Sequence, residues 1–130
     1  MKLSHLHLHV RDRGAAESFY AKWLGMDVMR RGESLTFLAD EDGFDLALMD
    51  DREPIPMPSW FHFGYRLNSA REVVDLHDRM REAGVGIVKP IYRDESLVSF
   101  RCADPDGYAI EIYWEQAPQG TADRIPYRSA

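Results

Sequence analysis

The amino-acid sequence predicts an α+β fold of paired βαβββ modules, and three observations carry that prediction. Apolar and polar residues alternate at period two through many short stretches, two other stretches switch to helical spacing, and the two halves can be laid over each other. His5 and His62 each open a strand-to-helix unit, and Asp42-Gly43-Phe44 answers Asp106-Gly107-Tyr108 before the last strand of each half. Two repeats are too few to stack as a solenoid, so each open sheet must bury its apolar face on something. The 130 residues are read as one domain, with a first module over about 1–50, a connector over 51–58, a second module over about 59–115 and a tail over 116–130.

Leu3 to Val10 alternates without a break and predicts a strand with His5, His7 and His9 on one face. Asp12 can cap the helix that follows, where Ala16, Phe19, Tyr20, Trp23 and Leu24 fall at helical spacing before Gly25 lets the chain turn out. Strands are expected at about Asp27–Arg31, Ser34–Ala39 and Phe44–Met49, with Gly32 and Asp42-Gly43 as turn signals. Three prolines in Asp51–Pro58 mark an extended connector, because proline fixes its own backbone and restricts its predecessor. Trp60–Leu67 reads as a strand, and Ser69-Ala70-Arg71-Glu72 as a capping box ahead of a helix that ends at Gly84. Strands at about Val85–Lys89, Leu97–Cys102 and Tyr108–Trp114 complete the second module.

Composition narrows the function classes. The chain is 45% hydrophobic and 29% charged, and no apolar run approaches the roughly 20 residues of a membrane span. A formal net charge of -6 with both signs interspersed disfavours a nucleic-acid backbone as partner. The single cysteine, Cys102, cannot close an intrachain disulfide, and Met1–His5 lacks the apolar core of a signal peptide, so the expected compartment is the cytoplasm.

The chemistry is expected on the polar strand faces. In the last strand Glu111 stands between Ile110 and Ile112, where a lone carboxylate needs water or a strong partner. Parity puts His62, Gly64 and Arg66 on one face of their strand, opposite Phe61, Phe63 and Tyr65. If the paired sheets curl around one cavity, His5, His62 and Glu111 point inward together. Two imidazoles and a carboxylate suit a divalent first-row metal and leave positions open for substrate.

These same residues carry a family resemblance. His5 to Asp12 followed by Phe19-Tyr20 and Leu24-Gly25, then His62-Phe63-Gly64-Tyr65, then Asp104-Pro105-Asp106-Gly107-Tyr108-Ala109-Ile110-Glu111, resembles the vicinal oxygen chelate superfamily of glyoxalases, bleomycin-resistance proteins and extradiol dioxygenases. The resemblance spans about Leu3 to Trp114. It implies a cupped mixed sheet around a divalent metal held by His5, His62 and Glu111, a small-molecule substrate with neighbouring oxygens, and a homodimer. The connector permits the modules to pair within one chain or to exchange with a second.

Subfamilies part at a fourth ligand position. Shifting Glu111 back by the repeat offset gives Ala47, which cannot bind metal, and this lowers the glyoxalase I reading; Asp45 would serve only after a register shift. A set of three donors resembles Fe(II) ring-cleaving dioxygenases and Mn(II) fosfomycin thiol transferases, yet where those generally have a tyrosine this chain has Arg101. The favoured expectation is extradiol-dioxygenase-like ring cleavage with Fe(II), with Mn(II), Ni(II) or Zn(II) as other metals. Glyoxalase-like isomerisation, thiol transfer, or metal-free drug binding without chemistry are the alternatives.

Further candidates surround this set. His7 and His9 share the face of His5, where one can serve as general base or orient a ligand, or both can fill the interior or meet solvent. Arg66 and Arg101 can grip an anionic or enolate oxygen, or form an internal salt bridge with Asp45 or Glu111. Tyr113 shares the face of Glu111 and can hydrogen-bond substrate; Trp60 is expected as a substrate contact, while Trp23, Phe61 and Phe63 are expected in the core. Cys102 is expected as buried filler and His77 as a solvent-facing helix residue.

Overall fold

The computed structural model describes residues 1–117; most of the expected tail lies outside the described residues. The order is β1 (His5–Val10), α1 (Arg13–Leu24), β2 (Asp27–Arg31), β3 (Leu35–Ala39), β4 (Asp45–Asp50), β5 (His62–Arg66), α2 (Ala70–Glu82), β6 (Ile87–Arg93), β7 (Leu97–Ala103) and β8 (Ala109–Glu115). Two four-stranded sheets result, ordered β1-β4-β3-β2 and β5-β8-β7-β6. Each is mixed, because β1 pairs β4 and β5 pairs β8 in parallel while the other ladders are antiparallel. The expected α+β duplication of βαβββ is present.

Several strand ends differ from the sequence reading, and two of them show why. β5 starts at His62 rather than Trp60, because the amide of Phe61 donates to the Pro58 carbonyl at 2.9 Å and turns the chain there. β6 runs on past Pro90 to Arg93, which an edge strand tolerates: its register slips between Lys89 and Tyr92, where the missing donor interrupts nothing.

Local chemistry sets the ends of the elements. Asp12 is extended at φ −135° and its carboxylate accepts the Ala15 amide at 3.1 Å, satisfying a free donor of α1. Ser69 Oγ accepts the Glu72 amide at 3.2 Å, and the Glu72 carboxylate reaches back to the Asn68 amide at 3.0 Å. The duplication extends to turn atoms: Asp40 Oδ1 accepts the amides of Asp42 and Phe44, as Asp104 Oδ1 accepts those of Asp106 and Tyr108, all four at 2.9 Å. Gly43 and Gly107 take the positive φ, 81° and 89°, that each turn requires. The Asp-Gly pair marks each turn in the sequence, and the aspartate two residues before it organises the turn through its carboxylate.

Each sheet buries one face beneath its helix. α1 contributes Ala16, Phe19 and Tyr20, and α2 contributes Val73, Leu76, His77 and Met80. His77 thus corrects the expectation of a solvent-facing residue: positions 73, 76, 77 and 80 form the helical stripe that meets the sheet. Its ring sits edge-on to Phe100 at 5.0 Å, and Nδ1 meets Asp78 at 2.9 Å, giving the buried imidazole a polar outlet. Cys102 is fully buried as expected, and burial pushes its thiol up to about 11.

The apolar faces of both modules join in one core. Trp23 and Phe63 pack against its margin as expected. Polar contacts tie the modules across the core: the buried Tyr20 hydroxyl donates to Asp104 at 2.7 Å, and the Tyr108 hydroxyl to the His9 carbonyl at 2.8 Å. The Arg11 amide adds a bond to Asp106 at 2.9 Å. The C-terminal end of β1 is therefore fastened to the turn that starts β8.

Candidate functional site

The faces opposite the helices carry the candidate chemistry. In the second sheet Glu111 on β8 lies between Gly64 on β5 and Arg101 on β7, and His62 pairs Ala109 one step away on the same side. Glu111 Oε2 stands 3.7 Å from His62 Nε2. His62 Nδ1 meets the Trp60 carbonyl at 3.0 Å. A carbonyl only accepts, so Nδ1 carries the proton and the Nε2 lone pair is presented to Glu111. Two acceptors thus face each other, an arrangement that calls for a cation or a donor between them.

Arg101 supplies a donor in this structure. Its Nη2 lies 3.3 Å from His62 Nε2, so the residue found where the resemblance leads one to expect tyrosine occupies the imidazole lone pair. No ion pair to Arg101 occurs among the described residues, so the expected alternative of a bridge to Glu111 is not formed. Its Nε is buried without a hydrogen-bond partner among the described residues. Arg66 is directed elsewhere, with Nη1 on the Glu115 carboxylate at 3.1 Å and Nη2 on the Glu115 carbonyl at 2.7 Å. That is a partly exposed surface pair, with a different acid from the two expected.

Tyr113 lies on the face of Glu111, and its ring passes over Gly64, where an added Cβ would meet ring carbon at 3.3 Å. The glycine leaves room for the aromatic ring next to the His62–Glu111 pair. Trp60 is 72% exposed in the turn before β5, against Phe61. Phe61, expected in the core, instead lines a cavity of about 560 Å³ between the connector and the start of β8, which Arg101 also borders. The turn that shortens β5 takes Phe61 out of the strand alternation.

In the first sheet His5, His7 and His9 are exposed along β1. The rings of His7 and His9 meet edge-on at 5.3 Å, and His9 Nδ1 bonds Asp51 at 2.8 Å. That hydrogen bond, with one from the Glu53 amide, holds the Asp51 carboxyl below its ordinary range. His7 pairs Ala47 as Gly64 pairs Glu111, so the register makes Ala47 the counterpart of Glu111 and leaves Asp45 two pairs away, opposite His5.

The structure brings His62 and Glu111 together but not His5. Among the described residues no three His, Cys, Asp or Glu side chains gather closely enough to hold a metal ion. Within one chain the docking of the modules keeps His5 apart from that pair. It is the His9 end of β1 that meets β8, and His5 lies four residues back along the strand, about 13 Å at the rise of a β-strand.

The His62–Glu111 pair itself fits an ion. Donors bonded at about 2.1 Å to one cation can be up to about 4.2 Å apart, and the two atoms are 3.7 Å apart. The proton on Nδ1, fixed by a backbone carbonyl, is the arrangement that orients an imidazole toward metal. Arg101 must then release Nε2, and at least one further donor must come from outside this pair.

The comparisons place this architecture. The family profile described as Glyoxalase/Bleomycin resistance protein/Dioxygenase superfamily matches residues 2–112. The chain belongs to that superfamily. An uncharacterised protein of Pseudomonas aeruginosa, PA2024, is 32% identical over 136 aligned positions, covering 95% of this chain and 96% of the relative. The structure of a possible glyoxalase from Bacillus cereus is 32% identical with a TM-score of 0.75, covering 86% of this chain and 97% of that one. A lactoylglutathione lyase from Agrobacterium tumefaciens, at 21% identity and a TM-score of 0.70 over 87% of this chain and 92% of its own, shares the fold. No helix of the described residues is long and apolar enough to cross a membrane.

Proposed function

We propose that this protein is a divalent-metal-dependent enzyme acting on a small substrate with two neighbouring oxygens, and that it works as a homodimer. In this reading His62 and Glu111 of one protomer are joined by His5 of the other, so that a site incomplete in one chain is completed by two. The observation that carries it is the 3.7 Å approach of two acceptors, with the imidazole tautomer fixed from behind by the Trp60 carbonyl. Membership in a superfamily that includes lyases and dioxygenases supports it.

Fe(II) is the favoured metal, with Mn(II), Ni(II) and Zn(II) as the others. When bound, the ion would act as a Lewis acid toward the substrate oxygens. The chain's own residues do the rest. Arg101, released from His62, is placed to grip an oxyanion through its fork, and Tyr113 lies alongside Glu111 to orient the substrate. His7 and His9 sit on the face of His5, where His9, polarised by Asp51, is the better placed to take or return a proton. Alanine at position 47 removes a fourth protein donor and leaves that side to substrate, which favours ring cleavage of the extradiol type over glyoxalase-like isomerisation. The buried thiol of Cys102 suits a cytoplasmic setting.

A second reading rests on Arg101. A guanidinium already on His62 Nε2 does part of the work of a cation, as a metal-free binding protein would need. Anaerobic reconstitution with Fe(II), Mn(II), Ni(II) or Zn(II), followed by metal analysis, separates the two. Stoichiometric metal, lost in His62→Ala and Glu111→Ala, is expected; catechol-dependent oxygen uptake then tests ring cleavage. Absence of stoichiometric metal under all four conditions would remove the enzyme reading.

A further inference from the structure

The cavity of about 560 Å³ beside Arg101 has the size of a small-molecule site. Its charge is unbalanced. Arg11, Lys89 and Arg101 border it against one acid, Asp106. Asp106 is already engaged, accepting the Arg11 amide at 2.9 Å and standing 3.8 Å from the Arg11 guanidinium. Lys89 takes part in no side-chain hydrogen bond or ion pair among the described residues, and Arg101 touches only the neutral acceptor of His62. The buried Nε–H of Arg101 has no acceptor among the described residues.

The remaining wall is apolar. Ile55 and Met57 from the connector, Phe61, Val88 and Tyr108 line it, and three prolines hold the connector segment extended. Lys89 and Arg101, paired across β6 and β7, and the apolar wall define the occupant.

We infer that this cavity takes a small organic anion, with a carboxylate or phosphonate head on Arg101 and Lys89 and an apolar body against Phe61, Tyr108 and the connector. The inference names the substrate class of the site proposed above, and it rests on that reading for the catalytic use of the bound anion. Binding itself requires no metal, so the two can fail separately.

The test uses the full chain stripped of metal with a chelator, titrated with benzoate and phenylphosphonate, with benzyl alcohol as the neutral control. Calorimetry or amide chemical shifts should show both anions binding about tenfold or more tighter than the alcohol, the scale of one charge-assisted hydrogen bond. Added salt should weaken the anions and leave the alcohol unchanged. Arg101→Gln is expected to cost about tenfold in anion affinity. Because that side chain is partly buried, Lys89→Gln, exposed on an edge strand, supplies a variant that leaves the core intact, with an expected loss of a few-fold. Shifts should centre on Phe61, Lys89 and Tyr108. Equal binding of benzyl alcohol, no binding of either anion, or unchanged affinity in both variants would overturn the inference. Anion binding without any metal uptake would uphold it and sink the metal reading alone.

Discussion

Tyr20 and Asp104 show how much one side chain can hold. The hydroxyl is fully buried, 84 residues from its acceptor in sequence, and it is the side-chain donor to Asp104 Oδ2. Burial pushes the Asp104 carboxyl up from its ordinary value, against the opposing pull of Tyr20 and the amides of Tyr108 and Asp106. Tyr20→Phe keeps the ring and removes the donor, leaving a buried carboxyl oxygen short of a partner. A loss of about 1–3 kcal/mol is expected, read as a lower urea midpoint with an unchanged slope. An unchanged midpoint would show that water replaces the hydroxyl without cost. Arg101 is the other residue on which much turns. Its identity was legible in the sequence, but its choice of His62 over Glu111 was not, since both lie within reach of a seven-atom side chain and only the packed geometry selects between them.

At the scale of elements, the turn between β6 and β7 carries a pH signature. Asp94 accepts the Tyr92 hydroxyl at 2.6 Å and the amides of Ser96 and Leu97 at 2.8 and 2.9 Å. The Tyr92 hydrogen bond and the Ser96 amide hold its carboxyl at about 2, below the model-compound 3.8. A carboxyl depressed by folding contributes stability above its unfolded value and loses it as pH falls through the folded one. Asp94→Asn should therefore shallow the fall in Tm between about pH 4 and pH 2. A wild-type slope in the variant would mean that other carboxylates, such as Glu17 beneath Thr36 and Arg31, dominate acid unfolding. For Glu17, burial opposes ionisation, but hydrogen bonds from Thr36 and Arg31 outweigh it and lower the carboxyl below its ordinary range. Element boundaries were mostly legible because caps and Asp-Gly turns act through atoms a few residues apart. His77 was not, because its neighbours in sequence are charged and only the angle of the helix on the sheet assigns it to the buried stripe.

The whole molecule poses the question of assembly. A single chain presents His62 with Glu111 on the second sheet and His5 on the first, separated by the docking of the modules. If two copies complete each other's sites, a mixture of His5→Ala and Glu111→Ala chains discriminates. Each variant alone should bind no metal, whereas the mixed dimer contains one site with all three donors and should recover roughly half the metal of a wild-type dimer. No recovery, in dimers shown by sedimentation to have mixed, would place the donors within a single chain or remove the site.

The duplicated βαβββ order, the caps, the Asp-Gly turns and the polar faces of the strands are all written in the local sequence. Those features follow from steric and hydrogen-bonding rules that operate over a few residues, and the repetition of His5 in His62 and of Phe44 in Tyr108 doubled the signal. The packing of the modules, by contrast, sets His5 apart from the His62–Glu111 pair, turns Arg66 to Glu115 and takes Phe61 out of the core to line a cavity. Each of these depends on how two modules bury their apolar faces in one core through contacts such as Tyr20 to Asp104, and packing between surfaces that remote leaves no periodic trace along the chain.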